Sequence, residues 1–132
     1  MRVLIVDDVF SCRKLLVKIL SDYGECDVAV NGKEAVEAFT EALDLNTPYH
    51  LICLDIMMPE MDGQEVLKKI RQIEQARNIH RREGVKIIMT TALDDAENIL
   101  SAFRDQCESY IVKPIEKDKL IKNLIDLELI NP

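Results

Sequence analysis

Three apolar runs of this chain end abruptly in charge. Val3-Leu4-Ile5-Val6 runs into Asp7-Asp8, Leu51-Ile52-Cys53-Leu54 into Asp55, and Tyr110-Ile111-Val112 into Lys113-Pro114. An ionised carboxylate is costly inside an apolar strand, so each run must stop where its charge begins. If the runs are parallel neighbours, the charges converge on one edge of a sheet. Three carboxylates held together repel one another and require a cation. An all-oxygen set suits a hard ion, and Mg²⁺ takes one or two carboxylates together with waters and a phosphate oxygen. The compact ammonium of Lys113 suits a phosphoryl oxygen, and Thr91, closing another apolar run, offers a hydroxyl. A carboxylate in that setting can itself be the nucleophile of phosphoryl transfer, giving an aspartyl phosphate. In that chemistry the protein chiefly positions groups and offsets charge.

Each residue taken alone has a plainer role. Asp7-Asp8 can cap a helix, Asp55 can serve the turn before Pro59, Lys113 can be a solvated strand-end lysine, and strands often end in threonine. The case for a site lies in their arrival from four strands at one edge.

The elements that would bring them there alternate strand and helix five times. Arg2–Val6 reads as the first strand. Cys12, Leu15, Leu16, Ile19 and Leu20 then follow helical spacing. Asp27–Val30 is a short second strand. Asn31 with Glu34 three residues on reads as a capping box for a helix packing through Ala35, Phe39, Ala42 and Leu43. His50–Leu54 is the third strand. Asp62 with Glu65 starts a helix whose stripe is Val66, Leu67, Ile70 and Ile73. Gln75–Gly84 is a polar connection, and Val85–Met89 is the fourth strand. Asp94 is expected to cap a fourth helix with Ala96, Ile99, Leu100 and Phe103 inward. Ser109–Val112 is the fifth strand, and Glu116–Leu129 the last helix, with Leu120, Ile121, Leu124 and Ile125 inward. Near-continuous apolar strands are those covered by helices on both faces. Five β/α units with short connections imply an α/β fold: a five-stranded parallel sheet, doubly wound, with right-handed crossovers. Ligands of such sheets bind beyond the carboxyl ends of the strands, where Asp7, Asp8, Asp55, Thr91 and Lys113 fall.

The totals agree with one globular domain spanning residues 1–132. Of the 132 residues, 48% are hydrophobic and 31% charged, enough of each for a core and a solvated surface. The formal net charge of −7 argues against direct nucleic-acid or anionic-membrane binding, which need a positive face. No apolar stretch approaches the ~20 residues of a membrane span, and the N-terminus enters a strand without a signal-peptide pattern. Cys12, Cys26, Cys53 and Cys107 form no C-x-x-C pair and read as small buried hydrophobes of a reducing cytoplasm.

With these residues in view, the chain resembles the response-regulator receiver domains of two-component signalling, typified by the chemotaxis regulator. The resemblance rests on Val3-Leu4-Ile5-Val6-Asp7-Asp8, on Leu54-Asp55-Ile56-Met57-Met58-Pro59-Glu60-Met61-Asp62-Gly63, on Thr91-Ala92 and on Tyr110-Ile111-Val112-Lys113-Pro114. It implies a flavodoxin-like sheet of order 2-1-3-4-5 and makes Asp55 the phosphoacceptor. It makes Asp7, Asp8, Asp55 and the backbone carbonyl of Met57 the surroundings of a Mg²⁺ ion. Lys113 and Thr91 would meet the phosphoryl group. Tyr110 would turn inward as Thr91 moves, carrying the change to the surface of the fourth helix, fifth strand and fifth helix. The Lys113-Pro114 bond is expected to be cis. The implied donor is a histidine kinase or histidine phosphotransfer protein, and the implied reader an unidentified downstream protein. The domain would be a switch and not a turnover enzyme, with no output domain after Pro132.

Three departures from the family pattern stand out. The turn before the fifth strand reads Asp105-Gln106-Cys107-Glu108, without the usual glycine. The connection carrying Arg77, Arg81 and Arg82 is longer than usual and reads as a solvated loop or a partner contact. Met57 and Leu93 occupy two positions that tune phosphoryl lifetime, and neither orients a water, so slow self-dephosphorylation is expected. Three other readings stand against the phosphoryl switch. A phosphorylation-independent interaction module has no need of the full charged set. An aspartyl-phosphate phosphatase commonly needs a carboxylate where Met57 stands. A nucleotide carrier lacks its glycine-rich loop after the first strand.

Overall fold

The apolar runs form the strands of a parallel sheet in a computed structural model that describes residues 1–132. In chain order the elements are β1 Arg2–Val6, α1 Phe10–Leu20, β2 Glu25–Ala29, α2 Gly32–Asp44, β3 Leu51–Leu54, α3 Gly63–Ala76, β4 Lys86–Thr91, α4 Ala96–Arg104, β5 Ser109–Val112 and α5 Lys117–Asp126. The sheet runs β2-β1-β3-β4-β5 with every pair parallel, as expected. No helix is long and apolar enough to cross a membrane.

Strand alternation divides the interior into two cores. Leu4, Val6, Ile52, Leu54, Ile87 and Met89 pack under α2 and α3 with Phe39, Val66, Leu67 and Ile70. Val3, Ile5, Leu51, Cys53, Ile88 and Ile111 pack under α1 and α5 with Leu16, Leu20, Leu120 and Leu124. Each fully buried side chain of this size contributes roughly 1.5–3 kcal/mol before conformational entropy is subtracted. The sheet is thereby held rigid, and its C-terminal edge becomes a fixed platform.

The starts of α2, α3 and α4 follow capping side chains. Asn31 accepts from the Glu34 N–H at 2.8 Å, and the Glu34 carboxylate reaches back to the Val30 N–H at 3.2 Å. Asp62 accepts from the Glu65 N–H at 3.0 Å. The cap of α4 is Asp95, which accepts from the Asn98 N–H at 3.1 Å, and not Asp94.

Other expectations are corrected. β2 begins at Glu25 and ends at Ala29, β4 extends to Thr91, and α5 stops at Asp126. Leu15 is exposed on α1. The stripe expected inward on α4 largely faces out: Leu100 is 62% and Phe103 46% exposed, and only Ala102 is buried. α4 lies over the sheet margin, against β5 and α3. Periodicity marked its apolar side, but the fold covers only one line of it.

The long connection after α3 is tied down rather than loose. Arg77 pairs with Asp44 at 2.8 Å and Arg81 with Glu108 at 3.2 Å, which leaves Arg82 as the one arginine of the segment outside an ion pair. Behind it, Arg71 donates to Glu74 at 2.7 Å, to Glu108 at 2.6 Å and to the Gln106 carbonyl at 2.8 Å. Glu74 also accepts from the Val85 N–H at 2.8 Å. These buried charges fasten the N-terminal end of β4 and the turn into β5. In that turn, which lacks a glycine, Gln106 adopts the left-handed region at φ 77°.

Candidate functional site

At the opposite end of the sheet the charged strand ends meet. Asp7 continues β1 through its N–H to the Ala29 carbonyl at 3.2 Å, and the Asp55 N–H reaches the Val6 carbonyl at 3.0 Å. Lys113 donates its N–H to the Thr91 carbonyl at 2.8 Å. Backbone pairing thus carries each residue one step past its strand and fixes where its side chain begins. Asp7 is fully buried, Asp55 is 3% exposed and Asp8 is exposed. Carboxylate oxygens of all three lie within 4.8 Å of one another.

The internal hydrogen bonds assign each carboxylate a different part. Asp7 Oδ1 accepts from the Val9 N–H at 2.9 Å, and Oδ2 from Lys113 Nζ at 2.8 Å. Asp55 Oδ1 accepts from the Met57 N–H at 3.2 Å, and Oδ2 from Lys113 at 3.3 Å. Lys113 pairs with Asp7 and Asp55, which leaves Asp8 without a cationic partner at the exposed mouth. Burial by itself would lower the Lys113 pKa. The hydrogen bond to Asp7 and the charges of Asp55 and Asp7 outweigh that burial and hold it well above its ordinary value. Lys113 is therefore a permanent cation at neutral pH. One ammonium against three carboxylates leaves two negative charges uncompensated, which a divalent cation would neutralise. The donors are all hard oxygens, so the set fits Mg²⁺.

The chain around Asp55 is shaped to present it. Gly63, the first residue of α3, approaches so closely that a Cβ would lie 2.1 Å from the Asp55 carbonyl oxygen. Its N–H donates to the Ile56 carbonyl at 2.9 Å. A side chain at this position would push α3 off the strand end. Met57 is 54% exposed, and its carbonyl accepts no backbone hydrogen bond, so it is available to an ion.

Thr91 is fully buried at the end of β4, and its hydroxyl accepts from the Leu93 N–H at 3.4 Å. Tyr110 packs against the core shared with α2 and α3, and its hydroxyl donates to the Leu93 carbonyl at 2.7 Å. Burial, followed by the charge of Asp95, pushes the Tyr110 hydroxyl up to about 12. The Lys113-Pro114 bond is cis. Every site residue read from the sequence thus lies on this edge or, for Tyr110, one hydrogen bond from the loop that leaves it.

Arg13 is the contributor that the sequence reading missed. Its guanidinium donates to the Asp7 carbonyl at 2.9 Å and sits over the Phe10 ring, 5.7 Å from its centroid. A basic residue in the first turn of a helix opposes the macrodipole, and that local misfit was the signal that could have found it. A surface cavity of about 450 Å³ lies at the far end of the sheet among Phe39, Tyr49, His50 and Val85. The cluster of Asp7, Asp8 and Asp55 lies instead on the opposite edge of the sheet, with Asp8 exposed at its mouth.

Comparison with known proteins gives a consistent result. The family model of the response regulator receiver domain matches residues 3–125. The chemotaxis protein CheY of Bacillus subtilis is 37% identical over 92% of this chain and 92% of its own. The regulatory protein VanRB of Enterococcus faecalis is 35% identical, over 93% of this chain and 50% of its own length. Among solved structures, a chain of the CheX-CheY-BeF₃-Mg complex of Borrelia burgdorferi superposes with a TM-score of 0.83 at 26% identity, covering 97% of this chain and 89% of that one. The receiver domain of the Arabidopsis thaliana histidine kinase CKI1, complexed with Mg²⁺ and BeF₃⁻, gives 0.82 at 26% identity, with 98% and 90% covered.

Proposed function

This chain belongs to the response regulator receiver family, and from that premise we propose that it is a phosphorylation-dependent switch with Asp55 as phosphoacceptor. The observation that carries the proposal is the convergence of Asp7, Asp8 and Asp55 within 4.8 Å, with Lys113 shared between two of them. A domain that only docked on a partner would have no use for two uncompensated charges beside a buried carboxylate.

Asp7, Asp8, Asp55 and the Met57 carbonyl would hold a Mg²⁺ ion. When bound, the ion supplies charge neutralisation for the acceptor and for the arriving phosphoryl group. The chain's own residues do the rest. Asp55 Oδ attacks phosphorus while the bond to the donor nitrogen of a phosphohistidine breaks. Lys113, protonated at neutral pH, balances the charge gained by Asp55. The Thr91 hydroxyl, at the end of β4, would donate to a phosphoryl oxygen. Bonding there draws on the hydroxyl that now holds the Leu93 N–H, so the loop after β4 responds. Tyr110 is tied to the same loop through the Leu93 carbonyl, and the change reaches the face of α4, β5 and α5.

That face is suited to be read. Leu100, Phe103 and Val112 are exposed on it, and phosphorylation biases a two-state surface rather than building a new one. The donor in this reading is a histidine kinase or phosphotransfer protein in the cytoplasm, and the reader a downstream protein. Phosphoryl transfer and its slow reversal are single events on the chain itself, not turnover of a metabolite. Incubation with acetyl phosphate tests the reading: one phosphoryl group is expected by intact mass with Mg²⁺ and none with a chelator. Labelling independent of the metal contradicts it.

A further inference from the structure

α4 is held to the rest of the molecule chiefly by polar contacts. It buries only Ala102, and its large apolar residues Leu100 and Phe103 face out. What joins it to α3 is a line of side chains at helical spacing. Gln64 donates to the Asn98 carbonyl at 3.0 Å, Lys68 meets Asp105 at 3.9 Å, and Arg71 donates to the Gln106 carbonyl at 2.8 Å.

The line is uneven. Its C-terminal end is fixed: Arg71 is nine-tenths buried and also bonded to Glu74 and Glu108. The Lys68 pair is long and exposed, and such pairs contribute little. At the N-terminal end of α4 the link is one neutral amide. The Gln64 amide nitrogen must face Asn98, since the reverse orientation would set two oxygens together. Its Oε1 is then buried with no partner, a cost that the same side chain bears for as long as α4 stays in this position.

From this we infer that Gln64 is a positioning residue, a latch that holds the first turn of α4 against α3 while the helix pivots about its Arg71-anchored end. The first turn begins three residues after Leu93, whose carbonyl holds Tyr110, so releasing the latch loosens the grip on Tyr110. The consequence for signalling rests on the phosphoryl-switch reading; the latch itself does not.

Two variants test it. Gln64→Glu keeps the shape, loses the donor and places a negative charge favourably at the start of α3, so the fold is retained. Gln64→Leu removes both the donor and the orphan oxygen. Amide exchange and ¹³C-tyrosine NMR are measured on the unmodified full chain. In Gln64→Glu, exchange at residues 96–100 rises about tenfold, the scale of one lost hydrogen bond, while residues 103–106 stay within about twofold of wild type. The Tyr110 signal shifts in the same variant. Gln64→Leu gives the same pattern with a smaller rise. Exchange that is unchanged, or raised evenly along α4, or a Tyr110 signal that does not move, overturns the inference. Acetyl phosphate labelling of wild type is run in parallel, and its failure would count against the phosphoryl-switch reading alone.

Discussion

Lys113 stands 2.8 Å from Asp7 and 3.3 Å from Asp55, so its charge is committed first to a carboxylate assigned to the metal. A divalent ion and Lys113 therefore compete for Asp7. Lys113→Met is expected to tighten Mg²⁺ binding several-fold, read as a lower Kd by calorimetry. The same change should slow labelling by acetyl phosphate at least about tenfold, because a charge worth ~1.4 kcal/mol or more to the transition state is gone. Weaker Mg²⁺ binding, or labelling that is not slowed, would show that Lys113 does not divide its role in this way.

The raised pKa of Lys113 sets a pH window. The folded protein holds this proton more tightly than the unfolded chain. The stability so gained is fully present below the unfolded value of 10.5 and is lost as pH rises towards the folded value. The difference in unfolding free energy between wild type and Lys113→Met should therefore be flat from about pH 6 to 9 and shrink above about 10.5. Urea titrations across that range check it, and a slope near neutrality would contradict it.

Met57 lies beside the acceptor with a side chain that neither donates nor accepts a strong hydrogen bond. An amide there could orient an attacking water. Met57→Asn is expected to speed decay of the phosphorylated form on the order of tenfold, about 1.4 kcal/mol of barrier. The decay is followed after removal of the donor, and an unchanged rate rejects the slow-hydrolysis reading.

Gln106 holds a left-handed backbone at φ 77° while its carbonyl serves Arg71 and Arg81. Glycine adopts that conformation without the Cβ penalty and keeps the carbonyl. Gln106→Gly should raise stability by about 1 kcal/mol, a gain of roughly 3–5 °C in Tm. A lower Tm would show that the Gln106 side chain does more than occupy the turn.

Much of this architecture was legible because strands buried on both faces leave little choice. Val3–Val6 and Leu51–Leu54 read as strands, and the acids that end them are where the sheet edge is. The site was legible for the same reason, since Asp7, Asp55 and Lys113 each follow such a run directly. α4 was not. Ala96, Ile99, Leu100 and Phe103 have helical period, but period cannot tell a covered face from an exposed one on a helix at the sheet margin. The arginines after α3 were also opaque. Their partners Asp44 and Glu108 are 33 and 27 residues away in sequence, and only the folded chain brings them together. Gln64 acts through a backbone carbonyl, which leaves no mark on side-chain patterns.

The most direct measurement is intact mass and peptide mapping of wild type and Asp55→Asn after incubation with Mg²⁺ and acetyl phosphate. Wild type is predicted to gain one phosphoryl group, on the peptide containing Asp55, and the variant none. A phosphoryl group retained by Asp55→Asn, or a wild type that binds Mg²⁺ yet stays unlabelled, would contradict the account.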